Sequence, residues 1–229
     1  MWTPETNKWE NPKFSVKDTP GEQLELALDF YQSKQYQEAT RELNKLIKHY
    51  PRAREAPEAQ YYIALISEEQ GDLSQAFKQY QLVIDRYPFS ERARDIIKKE
   101  YDIGIKLLEG NNSQNKFVNA VVGGDYNVID VFRTVIKNAP YGELAAPSQY
   151  KVGLFFLEKG MYQESRDEFE KLINDYPDSE WVKAAKYQIA VADAKRSTDA
   201  QYDQKVTQAA AKEFKEFVSI YPDAEFSDE

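Results

Sequence analysis

The sequence predicts an all-α protein that folds as a right-handed superhelical solenoid of five helix pairs. The first observation behind this prediction is a dipeptide that ends in Pro and recurs along the chain: Tyr50-Pro51, Tyr87-Pro88, Ala139-Pro140, Tyr176-Pro177 and Tyr221-Pro222. The second is a small residue between apolar neighbours upstream of each Pro, at Ala27, Ala64, Gly104, Gly153 and Ala190. In three of the five cases the small residue and its Pro are 24 positions apart. A fixed internal period is typical of repeat proteins, in which each unit forms one supersecondary element.

The residue types at these fixed positions explain how each helix pair forms and ends. Small residues let the two helices of a pair approach closely, and Pro ends the second helix because it lacks an amide hydrogen and clashes with the preceding turn. Gly71 and Gly160 stand 17 residues before their Pro, where a left-handed residue ends the first helix at low cost. Lys34 occupies this position in the first repeat, so we expect a strained or differently closed turn there.

The spacing of the Pro residues indicates the type of repeat. Successive Pro residues are 37, 52, 37 and 45 positions apart, near the tetratricopeptide (TPR) period of about 34 residues plus a short linker. In repeat two, Ala64, Ala76, Tyr80 and Pro88 match the small, small, aromatic and Pro positions of the TPR pattern. We therefore predict five TPR helix pairs in one continuous array over residues 21–229. The repeats cover about 21–51, 55–88, 90–140, 144–177 and 179–222.

Two segments depart from the regular pattern. Residues 1–20 combine aromatic residues with three Pro, which predicts an extended N-terminal arm that caps the first helix pair. Residues 110–126 are an insertion in repeat three, where a polar start and Gly123-Gly124 predict a loop. The apolar centre of this loop either packs against the solenoid or contacts a partner. The candidate contact residues are Phe117, Val118, Val121 and Val122.

Composition argues against several classes of function. A formal net charge of −9 leaves no basic footprint for nucleic acid, and the absence of cysteine excludes disulfides and thiolate metal sites. The single histidine, His49, stands in the last turn of a predicted helix, where it complements the helix dipole. No nucleophile has an evident base, and no Gly-rich loop follows a strand. We therefore predict a non-enzyme without cofactor or metal.

The apolar runs are short. The longest, residues 152–157, is far too short to span a bilayer. The opening Met-Trp-Thr-Pro has neither a cationic start nor an apolar segment, so we expect no signal peptide in this sequence.

A series of tyrosines predicts where the protein binds its partners. In repeats two to five a Tyr stands three positions before the small residue, and an apolar residue four positions later shares its helix face. In a TPR superhelix this face lines the concave groove, and tyrosine offers a large contact area at low entropic cost. The alternative is that the tyrosines pack between adjacent repeats. The candidates for binding an extended peptide are Leu24, Tyr61, Leu65, Tyr101, Ile105, Tyr150, Leu154, Tyr187 and Val191.

The repeat count, the insertion in repeat three and phrases such as Tyr87-Pro88-Phe89-Ser90 resemble the BamD (YfiO) family. These are outer-membrane assembly lipoproteins of Gram-negative bacteria, and the resemblance covers about residues 20–229. It implies a periplasmic scaffold, attached to the outer membrane, for β-barrel assembly. The implied partners are the POTRA domains of a BamA-type subunit, other barrel-assembly subunits and unfolded outer-membrane protein segments. In the family, the N-terminal repeats are associated with substrate and the C-terminal repeats with BamA.

The sequence departs from that family at its start. The family's acylated N-terminal Cys is absent, so membrane association would depend on a lipid anchor that is not in this sequence. Two other protein-binding functions stay open: a periplasmic TPR adaptor of the Tol-Pal or cell-division type, and a cytosolic TPR scaffold.

Overall fold

A computed structural model describes residues 2–3, 8–9, 15–112, 128–199 and 204–220. Within these ranges ten helices follow one another, two to a repeat. They are α1 (Pro20–Gln32), α2 (Tyr36–His49), α3 (Ala56–Glu69), α4 (Leu73–Arg86), α5 (Ala93–Asn112), α6 (Val128–Asn138), α7 (Ala145–Glu158), α8 (Tyr162–Asp175), α9 (Trp181–Asp199) and α10 (Gln204–Ile220).

Contacts between residues divide the chain into two compact units. Among the described residues the first unit ends at Ile96 and the second begins at Ile97, so the division falls within α5. The sequence predicts one continuous array. Each element of a repeat protein touches mainly its neighbours in the chain, and the continuous array over residues 21–229 stays a prediction.

Short strands are present near the N-terminus. β1 (Trp2–Thr3) and β2 (Lys8–Trp9) pair antiparallel, with Trp2 opposite Trp9. The sequence predicts an extended arm without a strand pattern, because segments of two residues are too short to show alternation.

Helix α1 begins at a capping residue, and the helix pairs of the first unit pack through small side chains. The Thr19 hydroxyl accepts a hydrogen bond from the Glu22 amide at 3.2 Å, and Pro20 follows at the first helical position. Three-residue turns join α1 to α2 and α3 to α4, which makes each pair antiparallel. Ala27 and Ala64 are fully buried where the paired helices meet.

In repeats three and four, which lie in the second unit, glycine takes the place of alanine at the closest approach of the helices. A methyl group at Gly153 on α7 would lie 2.6 Å from the ring of Phe169 on α8, and one at Gly104 would lie 2.8 Å from the ring of Phe132. Contacts this short require the ring or the helix to move. The small residues therefore set the distance between paired helices, as the repeat pattern predicts.

Gly153→Ala tests this close packing. The added methyl group gains about 1 kcal/mol in helix propensity. Overpacking against Phe169 outweighs this gain, and we expect a net loss of about 1–2 kcal/mol in the free energy of unfolding by urea denaturation. The double variant Gly153→Ala/Phe169→Leu copies the pairing of Ala27 with Leu43 in repeat one and should recover most of the loss. Gly21→Ala is the control, because no atom lies within 4 Å of its added methyl group. An unchanged stability of Gly153→Ala would contradict the packing account.

The turns within three helix pairs share one left-handed residue. Gly71 and Gly160 have φ of 81° and 74°, and Lys34 has φ of 57° at the equivalent place. The Lys34 amide donates to the Tyr31 carbonyl at 2.9 Å, and the next amide reaches back to Phe30 at 2.9 Å. These two hydrogen bonds form the Schellman motif that closes a helix. The strain predicted at Lys34 is thus confirmed, because a side chain disfavours this backbone conformation.

Lys34→Gly is expected to stabilise the protein. Glycine relieves the strain of the left-handed backbone, which stabilises the folded state. This gain exceeds the free-energy cost of the extra conformational entropy that glycine gives the unfolded chain. We therefore expect a net gain of about 0.5–1 kcal/mol in the free energy of unfolding. The reciprocal change Gly71→Lys, at an exposed site with the same turn, should lose about 1 kcal/mol. Equal stabilities of the wild type and both variants in urea would show that the turn carries no strain.

A buried glutamine recurs four positions before the small residue of repeats one, two and four. The side-chain amide of Gln23 donates to the Glu42 carbonyl at 3.1 Å and to the Glu42 carboxylate at 2.9 Å. Gln149 donates to the Glu168 carbonyl at 3.2 Å across the fourth pair. Burying a polar side chain requires such partners. These glutamines therefore fix the register between the two helices of a pair.

Candidate functional site

Tyr61, the first tyrosine of the predicted series, is buried within the first unit. Its side chain is 6% exposed, and its hydroxyl donates to an oxygen of the Asp95 carboxylate at 2.6 Å. Its ring centroid lies 5.7 Å from that of Tyr80 on the second helix of the same pair. Burial and the hydrogen bond to Asp95 raise the pKa of Tyr61 well above its usual value. The ring therefore stabilises the packing of the second repeat.

The other three tyrosines of the series lie in the second unit, and they too contact aromatic residues of their own unit. Tyr150 is 8% exposed, and its ring centroid lies 5.3 Å from Phe169 and 4.9 Å from Trp181. Tyr101 and Tyr187 are half-buried. Tyr101 lies 5.7 Å from Phe132, and Tyr187 lies 6.1 Å and 5.7 Å from Phe214 and Phe217, between ring centroids. Each tyrosine thus packs against the second helix of its own pair.

The apolar members of the predicted set keep more exposure than Tyr61 and Tyr150. All five are half-buried, and Leu24 and Leu154 each pack at the edge of a core cluster of their own unit. Their partly open surface suits contact with a partner, so their binding role stays a prediction. The five residues are Leu24, Leu65, Ile105, Leu154 and Val191.

The insertion in repeat three begins later than its composition indicates. Helix α5 continues through Gly110 to Asn112, whereas the sequence predicts a loop from residue 110. A helix tolerates glycine at a cost of about 1 kcal/mol. The candidate contacts Phe117, Val118, Val121 and Val122 lie outside the described residues.

A groove in the first unit was not predicted from the sequence. It has a volume of about 900 Å³ and lies between the turn after α2 and the turn after α4, with Leu24 at its side. We call it the arginine groove, after the residues that define it: Arg52, Arg54, Arg86, Arg92 and the neighbouring Phe89. Phe89 is 98% exposed. Its aromatic surface is therefore available to a ligand.

The four arginines differ in how they are held. The Nε of Arg92 donates to the Glu58 carboxylate at 2.8 Å, and its guanidinium carbon lies 4.6 Å from the centroid of the Tyr61 ring. Arg52, Arg54 and Arg86 are exposed and make no hydrogen bond or ion pair with the part of the chain that the structure describes. Three cationic side chains are thus free to bind a ligand, beside one that the fold holds in place.

A signal for this groove exists in the sequence. Arginines cluster around the first two Tyr-Pro dipeptides, in Tyr50-Pro51-Arg52-Ala53-Arg54 and in the segment from Arg86 to Arg92. Each Tyr-Pro dipeptide marks the end of a helix. A comparison of the residues that follow the dipeptides distinguishes turns with basic residues from turns with acidic residues.

Metal binding and membrane spanning find no support in the described residues. Within 15–112, 128–199 and 204–220, no group of His, Asp and Glu side chains is arranged to hold a metal ion. None of the helices in these ranges is both long and apolar enough to cross a bilayer.

Comparison with known families agrees with the geometry of the helix pairs. Two family models match the chain, both described as tetratricopeptide repeats, one over residues 24–91 and the other over residues 148–179. The two matched segments are thus similar to tetratricopeptide repeats. The predicted fold class, a solenoid of TPR helix pairs, is thereby confirmed. Helical repeats of this kind present extended surfaces, which suit a protein-binding scaffold.

Solved structures of TPR proteins are similar to this chain. The C-terminal part of a TPR protein from Cytophaga hutchinsonii is 17% identical, with a TM-score of 0.48, over 90% of this chain and 68% of that one. MamA from Desulfovibrio magneticus RS-1 is 16% identical, with a TM-score of 0.41, over 92% of this chain and 99% of that one. A TPR protein from Parabacteroides merdae is 15% identical, with a TM-score of 0.42, over 89% and 67%. At such identities the likeness concerns the fold alone. No curated protein matches the sequence.

Proposed function

We propose that this TPR protein is a non-catalytic scaffold of the machinery that assembles β-barrel proteins in the bacterial outer membrane. In this proposal it acts in the periplasm, attached to the outer membrane through a lipid anchor. Its C-terminal repeats bind the POTRA domains of a BamA-type subunit, and its N-terminal repeats bind unfolded barrel segments.

The observation that carries the proposal is the unequal spacing within the helix pairs. In repeats one, two and four, three residues separate the first helix from the second, whereas residues 113–127 separate α5 from α6 in repeat three. The extra sequence in repeat three, in a chain whose sequence predicts five TPR pairs, is the feature that resembles the BamD family.

The half-buried apolar residues of the first helices support a protein ligand. Val191 on α9 and Leu154 on α7 are half-buried within the second unit, and both belong to the predicted binding face. Apolar side chains that keep part of their surface open provide the area that a partner buries on binding.

Calorimetric titration with the POTRA domains from the same organism tests the proposal. We expect one-to-one binding that is micromolar or tighter, about −8 kcal/mol or better. Val191→Ser should weaken this binding about fivefold if Val191 lies in the interface. Val218→Ser is the matched control, since Val218 is 41% exposed on α10 and is not part of the predicted face.

Absence of binding would overturn the barrel-assembly assignment but not the protein-binding fold. Binding to a Tol-Pal or cell-division component instead would favour the adaptor function. A gene that encodes no signal peptide would favour the cytosolic scaffold.

A further inference from the structure

We propose that the arginine groove binds an extended acidic polypeptide segment that carries an aromatic residue next to its carboxylates. This inference rests on the protein-binding role of the TPR repeats. It does not depend on the barrel-assembly assignment, because the groove lies within the first unit, whereas the proposed POTRA site lies on the C-terminal repeats.

The turns that form the groove do not need arginine for their structure. After the second helices α2, α4 and α8, an amide donates to the carbonyl of the residue before Pro: Ala53 to Tyr50 at 3.0 Å, Ser90 to Tyr87 at 2.9 Å, and Ser179 to Tyr176 at 3.0 Å. The turn after Tyr176 has this hydrogen bond with the acidic residues Asp178 and Glu180 at the positions of Arg52 and Arg54, and Asp175 stands at the position of Arg86. The basic side chains of the first two turns therefore have a role other than closing the turn.

The charges of the groove favour an anionic ligand. Four arginines line it with Glu55, Glu58 and Glu91. The Glu58 carboxylate is neutralised by its hydrogen bonds with Arg92. The groove is thus net positive in a chain whose formal net charge is −9. Helices α3 and α5 also begin beside the groove, and their N-termini add positive partial charge.

The apolar surface of the groove favours a polypeptide over a small anion. Phe89 is 98% exposed, and it lines the groove together with the exposed Pro51 and Pro88 and the half-buried Tyr87. Aromatic and arginine side chains are the residue types that most often dominate binding energy at protein interfaces. Planar guanidinium groups also bind carboxylates in a bidentate manner.

The size of the groove fits a short segment of extended chain. Its volume of about 900 Å³ lies at the upper end of the range of about 300–1,000 Å³ for ligand sites. A short extended segment can therefore lie along the groove between the two turns.

Fluorescence anisotropy with a defined peptide tests the inference. The probe is a labelled peptide of about ten residues, up to about 35 Å when extended, with alternating Asp and Ser around a central Phe. The whole chain should bind this probe with an affinity that falls as salt rises, because exposed charges are screened. Arg52→Glu/Arg86→Glu should weaken binding at least about tenfold, and Phe89→Ser about fivefold.

Arg94→Glu is the matched control. Arg94 is an exposed arginine on α5 in the same unit that does not line the groove, so the probe should bind this variant nearly as tightly as the wild type. All the substituted side chains of the groove are largely exposed, and circular dichroism should show that the variants remain folded.

Several results would overturn the inference. One is equal affinity for the same peptide with Asn in place of every Asp. Another is equal weakening by Arg94→Glu and by Arg52→Glu/Arg86→Glu. A third is binding to vesicles of phosphatidylglycerol, dependent on Arg52 and Arg86, without binding of the peptide; the groove would then be a membrane contact. POTRA binding by Arg52→Glu/Arg86→Glu is measured in parallel. Loss or retention of POTRA binding in this variant tests the barrel-assembly proposal and does not test peptide binding by the arginine groove.

Discussion

Tyr150→Ala is expected to lower the free energy of unfolding by about 3–5 kcal/mol. The ring is 8% exposed and lies between Phe169 on α8 and Trp181 on α9, with centroid distances of 5.3 Å and 4.9 Å. Its removal leaves a cavity where two repeats meet and ends both aromatic contacts. Urea denaturation followed by circular dichroism measures the loss.

Two further variants separate packing from partner contact. Tyr150→Phe keeps the ring and removes the hydroxyl, and should lose only about 0.5–1.5 kcal/mol. Tyr141→Ala removes a tyrosine that is 98% exposed and should change stability by less than about 0.5 kcal/mol. If Tyr150→Ala kept the wild-type stability but bound POTRA domains more weakly, the ring would be part of the binding face and the packing account would be wrong.

Asp193→Ala is expected to cost about 3 kcal/mol of stability, at the lower end of the range for breaking a buried ion pair. The Asp193 side chain is 1% exposed and accepts hydrogen bonds from Arg166 on α8, with Arg196 of its own helix 3.2 Å away. The two arginines are 24% and 33% exposed, and this partial solvation limits the penalty. Thermal or urea unfolding of the variant measures it.

The neighbouring carboxylates provide the control for this cluster. Glu170 is 46% exposed and bonds to the same Arg166 at 2.9 Å, so Glu170→Ala should cost less than about 1 kcal/mol. Burial and the nearby Asp193 raise the pKa of the Glu213 carboxyl above its usual value. Removing Asp193 should therefore lower the pKa of Glu213. If Asp193→Ala and Glu170→Ala lowered the free energy of unfolding equally, burial would not determine the strength of the ion pair between Asp193 and Arg166.

The local features of the fold were predictable because each depends on a few residues. Pro at the end of a second helix and Gly71 or Gly160 at the end of a first helix act through backbone geometry, which the residue type determines. Even the exception at Lys34 follows from its place in the repeat, and its φ of 57° shows the expected strain. Gly153 follows the same logic, since a small residue marks the closest contact between helices.

The candidate site was less predictable because a helical period does not say which face is covered. Tyr61 and Leu65 share a face of α3, yet Tyr61 is buried and Leu65 is half-buried. The difference depends on which side chains of neighbouring elements fill the space, and both Tyr80 and the guanidinium of Arg92 lie against the Tyr61 ring. The arginine groove was missed for a related reason: two turns that are 37 residues apart in sequence form its two sides.

Hydrogen exchange of the whole chain, with and without the POTRA domains, tests the central claim most directly. Bound POTRA domains should slow amide exchange in α7 to α10, the helices of the C-terminal repeats, and leave α1 to α4 unchanged. Protection confined to α1 to α4 would contradict the proposed division of roles between the repeats. No protection anywhere at saturating POTRA concentration would contradict the barrel-assembly function itself.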